Sequence, residues 1–141
     1  MNKTLPTSFL AGIAATAVMT LVMMVAPMMG FPPMNPAAML SGMIGSPLVV
    51  GWIMHFMIGV IFALSYSFLF LPRVAISNAI IKGAVFGFAV FVFAQIAIAM
   101  MGALMSGIPP AEGNMALMLL GSIVGHLVFG IVVGLIAKPS R

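Results

Sequence analysis

Residues 51–67 read GWIMHFMIGVIFALSYS, and every fourth residue of this stretch is Gly51, His55, Gly59, Ala63 and Ser67. At helical periodicity these five fall in one stripe, four small residues and an imidazole, on a segment with no charged side chain. The pattern returns 71 residues later as Ser122, His126, Gly130 and Gly134, which brings in the chain's second and last histidine.

The surrounding composition names the solvent. Hydrophobic residues are 64% of the 141 and charged residues 4%, far from the balance of a water-soluble domain. One membrane domain covering residues 1–141 is expected. Four spans are expected at about 7–30, 48–71, 83–105 and 115–137, each exceeding the roughly 20 residues that cross a hydrocarbon core. The first has the look of a signal peptide, with Lys3 ahead of it and Ala15-Thr16-Ala17 as a cleavage-like triplet. Apolar residues run far past that triplet, so it is read as a retained span. Pro72 stops the second span, and Lys138 with Pro139 stops the fourth.

The cations orient the spans. Lys3, Arg73, Lys82, Lys138 and Arg141 all fall on one side of a four-span chain, and the outer loops hold only Glu112. The cation-rich side is the cytoplasmic one. The expectation is an all-α protein of the bacterial cytoplasmic (inner) membrane with both termini in the cytoplasm. The first outer loop, FPPMNPAAMLSGMIGSP, is apolar and is expected on the membrane surface or against another protein.

Shifting the chain by 71 residues superposes span one on span three and span two on span four without a gap. Gly12 then meets Gly83, His55 meets His126, and Gly59 meets Gly130. Halves of about 1–71 and 72–141 would be two tandem parallel repeats of a helical hairpin, related by an axis along the membrane normal. Spans one and three carry stripes of their own, Gly12, Thr16 and Thr20, and Gly83, Gly87, Phe91 and Gln95. Small residues at this spacing let helices approach closely in lipid. Turning all four stripes inward places His55, His126, Gln95, Thr16, Thr20 and Ser122 in the interior.

Three readings of the histidine pair stand side by side. Each imidazole can be neutral and fix helix register through a hydrogen bond, with no cofactor at all. Both can ligate a b-type haem, although the outer face lacks the Arg or Lys that propionates would want. Or they can join soft thioether donors around Cu(I). Of 16 methionines, all but Met1 and Met19 fall in the outer half, and Met54 and Met57 flank His55. Methionine is also a flexible packing residue suited to adaptable docking surfaces.

Enzyme chemistry lacks its parts. There is no cysteine, and no carboxylate lies in any span, so acid–base pairs, di-metal carboxylate sites and Ser-His-Asp sets are missing. Five dispersed cations form no nucleic-acid patch.

With GWIMHF-x-x-G in span two, KGAVFGF opening span three and GHLVFGIVVGL in span four, the chain resembles a family of small four-helix bacterial membrane proteins classed as a domain of unknown function. That resemblance implies a bacterial cytoplasmic membrane and lends no activity. The expectation is a non-enzymatic accessory or scaffolding subunit of a larger inner-membrane assembly. Its partners would be the lipid bilayer and a membrane-protein complex or further copies of itself, with no nucleic acid. The alternative is a metal or haem binder using His55 and His126.

Overall fold

Asparagine and proline set the helix boundaries in the computed structural model, which describes residues 4–104 and 113–137. Asn35, Asn78 and Asn114 each precede a helix, and each side-chain oxygen accepts from backbone N–H groups of the first turn at 2.9–3.3 Å. An N-cap of this kind satisfies donors that the helix itself leaves open. The resulting elements are α1 (Thr4–Val25), α2 (Pro36–Met43), α3 (Leu48–Ser65), α4 (Ala79–Leu104) and α5 (Met115–Ile136). Pro27 tightens the end of α1 into a 3₁₀ turn over Ala26–Met29, and Gly30, at φ 89°, turns the chain out of it.

Four of these segments are long and apolar enough to cross a membrane: Thr4–Met29, Leu48–Phe70, Ala79–Leu104 and Met115–Ile136. The third begins four residues earlier than expected, because Asn78 rather than the glycine at 83 starts the helix. The sequence reading places no helix in the first outer loop. Residues 36–43 nevertheless form α2, eight residues long, which packs on α3 with Ala37 at Gly51. Met34 reaches across to Gly121 on α5, so the outer loop folds onto the bundle end. Met1, Lys3, Met105, Glu112, Lys138, Pro139 and Arg141, all used in the sequence reading, lie outside the described residues.

Close packing runs in the order α3, α1, α5, α4. Hydrophobicity does not drive these contacts in lipid; dispersion and close backbone approach do. At α1–α3, a Cβ added to Gly12 would sit 2.6 Å from Val60 Cα and 3.0 Å from Gly59 O. At α4–α5, a Cβ added to Gly83 would strike Gly130 O and come within 2.9 Å of Ile131 Cα. Gly87 faces the His126 carbonyl in the same way, and Gly134 faces Ala79 O.

The fourth side of the bundle is different. The α3 and α4 backbones stand apart, bridged by Phe62–Phe93, Tyr66–Phe86 and Phe70–Phe86 ring contacts at 5.6, 5.0 and 5.2 Å. On this side α3 ends in a π-helical turn, Tyr66–Phe70, closed by Leu71 N–H donating to Tyr66 O at 2.7 Å. Pro72 follows, so the extra residue in the turn is the last the helix can accommodate.

A Cβ at Gly130 would meet Gly83 O and lie 2.6 Å from Gly87 Cα, whereas nothing stands within 4 Å of one at Gly102. Gly130→Ala should therefore lower unfolding free energy by about 1–3 kcal/mol in a denaturing-detergent titration. Gly102→Ala should be neutral or slightly stabilising, within about 1 kcal/mol.

Candidate functional site

The interior polar groups gather on two levels. Toward the loop joining α3 and α4, the Ser8 hydroxyl donates to Thr4 O at 2.7 Å, and Ser8 Oγ and Ser67 Oγ share a 2.6 Å hydrogen bond across α1–α3. Toward the other end, His55 Nε2 lies 3.0 Å from Thr20 Oγ1. Between these two bonds sits the Gly12–Gly59 crossing, with Thr16 Oγ1 against Gly59 and donating to Gly12 O at 2.7 Å. Thus α1 and α3 are tied by one polar bond on each side of a glycine contact.

Proton counting assigns the His55 ring. The Thr20 hydroxyl has one hydrogen, and it points at Thr16 O at 2.7 Å. The Thr20 oxygen is then the acceptor, and His55 Nε2–H the donor. His126 is arranged the other way. Its Nδ1 lies 2.7 Å from Ser122 O, and a carbonyl can only accept, so Nδ1 carries the hydrogen. Ser122 Oγ is 3.5 Å from the same nitrogen and accepts a long bond, 3.4 Å, from Gln95 Nε2.

The surroundings of the two imidazoles differ. His55 is buried at 8% exposure, flanked by Trp52 and Phe56 edge-on at 6.2 and 6.0 Å. His126 is half-buried, with Phe91 at 5.9 Å. Thr16 and Thr20 are buried with His55, but Gln95 and Ser122 are only half-buried. The expected six-residue interior therefore divides into a closed α1–α3 part and a looser α4–α5 part.

Gly51, Gly59 and Ala63 are buried on α3 and Ser67 in the π-helical turn that ends it, but Gly51 faces α2 rather than another spanning helix. Gly12, Gly83, Gly87, Gly130 and Gly134 are buried at α1–α3 and α4–α5. Met54 and Met57 stand about 100° and 200° around α3 from His55 at helical periodicity. Met57 is 52% exposed, and Met54 is half-buried. Among the described methionines, Met19 and Met23, each 6% exposed, pack against Gly125 beside His126, and Met43 is buried on α2.

Gly121 and Gly125 escape the sequence reading. They form a second small-residue stripe on α5, receiving Met34 from the outer loop and Met19 and Met23 from α1. Their own four-residue spacing is the available signal. In lone-pair terms, His55 offers Nδ1 and His126 offers Nε2. Ligation through His55 Nε2 would cost the Thr20 bond. Among the described residues no three His, Cys, Asp or Glu side chains come together.

Four apolar helices joined through glycine contacts, with sparse interior hydroxyl and imidazole groups, define a polytopic helical-bundle membrane protein. More particularly, the chain belongs to the family of unknown function DUF6789, whose family model matches residues 2–139. No curated protein and no solved structure matches it.

The opposite hydrogen positions are open to measurement. Nitrogen-15 correlation spectra of the reconstituted protein above the imidazole titration should show an Nε2–H tautomer for His55 and an Nδ1–H tautomer for His126. Thr20→Val should shift only the His55 signals and destabilise the bundle by about 1–2 kcal/mol. Identical tautomers at both rings would contradict the assignment.

Proposed function

We propose that the protein is a non-enzymatic integral subunit of a larger bacterial inner-membrane assembly, accessory or scaffolding in role. The observation that carries this reading is the outer end of the bundle. Met24, Met28, Met29, Met100 and Met115 are 66, 86, 76, 59 and 70% exposed, and they cluster at the end where α1 finishes and α5 begins. Flexible thioether side chains in that concentration suit an adaptable protein contact. The interior supports the same reading: Ser8, Ser67, Thr20 and His55 are engaged in holding helices together. No acidic side chain stands in any span to run proton chemistry.

Two finer points belong to this proposal. Both termini face the cytoplasm, supported by Lys3, Arg73, Lys82, Lys138 and Arg141 sharing one side. The chain is also a tandem parallel repeat of a helical hairpin. The contact of Gly12 with Gly59 and Val60 recurs as that of Gly83 with Gly130 and Ile131, each member displaced by 71 residues. Gly59 against Thr16 likewise recurs as Gly130 against Gly87.

Solubilising native membranes in a mild detergent and resolving them on a native gel should place the protein in a band well above its own mass. Substituting Met28 and Met29 together by Ser should release it. Migration only as the free chain would refute a subunit role. Orientation is tested separately, since the chain has no cysteine. Ser77→Cys should react with an impermeant maleimide only from the cytoplasmic side, and Met28→Cys only from the outer side.

A further inference from the structure

The open side of the bundle forms a groove of about 410 Å³ between α3 and α4, within the rough 300–1,000 Å³ range of small-molecule sites. Phe62, Phe70, Phe86, Val90 and Phe93 are among the apolar side chains that line it. Its one hydroxyl, on Ser65, is turned back onto Ile61 O at 2.9 Å, so the wall presents hydrocarbon. Arg73 stands at the end of the groove nearest the α3–α4 connection. Its Nη1 donates to Leu69 O at 2.8 Å, a carbonyl of the π-helical turn, which fixes the guanidinium beside the groove.

Among the described residues no acidic side chain stands beside that guanidinium. Glu112 is the chain's only acidic side chain, and it follows the far end of α4, whose 26 residues put about 39 Å between the two ends. An arginine has five donors in a planar fork, and Nη1 is the nitrogen engaged with the helix carbonyls. A hydrocarbon groove ending at an oriented guanidinium matches an acyl chain ending in a phosphate.

We propose that the α3–α4 groove binds one acyl chain of an anionic phospholipid, with the lipid phosphate held by Arg73. The occupant completes the bundle on the side where α3 and α4 do not pack closely. Lys82, on the first turn of α4 at the same end, adds positive charge to the headgroup region. This rests on the membrane-spanning character of the helices and is independent of any partner assembly.

A tryptophan placed in the groove reads its occupant. Trp52→Phe removes the native fluorophore, and Phe93→Trp, at a side chain already 59% exposed, installs a new one. The variant is reconstituted in phosphatidylcholine bilayers carrying a small, equal fraction of either brominated phosphatidylglycerol or brominated phosphatidylcholine. Quenching by the phosphatidylglycerol should be at least about twofold greater, and Arg73→Gln should abolish the excess. Phe9→Trp, 53% exposed on α1, should show no excess and serves as the bulk-lipid control. Equal quenching of the groove fluorophore by the two lipids, an excess surviving Arg73→Gln, or emission insensitive to both lipids would each overturn the proposal. Retention of the fold is checked by the unfolding titration used for the glycine variants.

Discussion

Everything in this bundle depends on backbone meeting backbone at glycine. In lipid the apolar side chains gain nothing by leaving the solvent for a helix interface, so association must come from contact density and from polar bonds. Gly12 with Gly59 and Gly83 with Gly130 supply the first. The absence of Cβ atoms brings α1 onto α3, and α4 onto α5, at distances that any side chain would prevent. The third tight contact, α1 with α5, is made otherwise: Met19 and Met23 fill the space over Gly125.

The histidines take their meaning from these contacts. Once Gly59 brings α3 against α1, Thr20 comes within reach of His55, and the pair forms an interhelical bond. His126 lies where Gly87 brings α4 against the α5 backbone, and its ring turns back to its own helix at Ser122. Residues 71 positions apart therefore share helix contacts while differing in hydrogen-bond direction. The cause lies in the partner residue: Thr20 stands on α1 where the corresponding α4 position holds Phe91, whose ring lies against His126 and has no hydroxyl. The α1–α3 pair is polar and closed; the α4–α5 pair is closer at the backbone and looser around its side chains.

The same economy explains the open side. With α1 packed on both α3 and α5, and α4 committed to α5, aromatic rings bridge α3 and α4. The π-helical turn and Pro72 end α3 there, and the carbonyls that the turn leaves are met by Arg73. A chain with one acidic side chain has little means of pairing its cations internally.

The membrane class, the four spans and the importance of the glycine stripes were legible in the sequence by itself. Hydropathy is a sum over residues, and it needs no partner to be evaluated. A glycine every fourth residue likewise marks a helix face before its neighbour is known. What only the tertiary structure decided was which face meets which helix. Gly51 serves α2, and α5 has two small-residue faces where the sequence reading found one. Met19 and Met23 enter the interior while Met57 faces outward. These helices are apolar all round, so no amphipathic contrast orients them about their axes. Their rotation follows from pairwise contact between residues distant in the chain, and so do the tautomers of His55 and His126 and the groove beside Arg73.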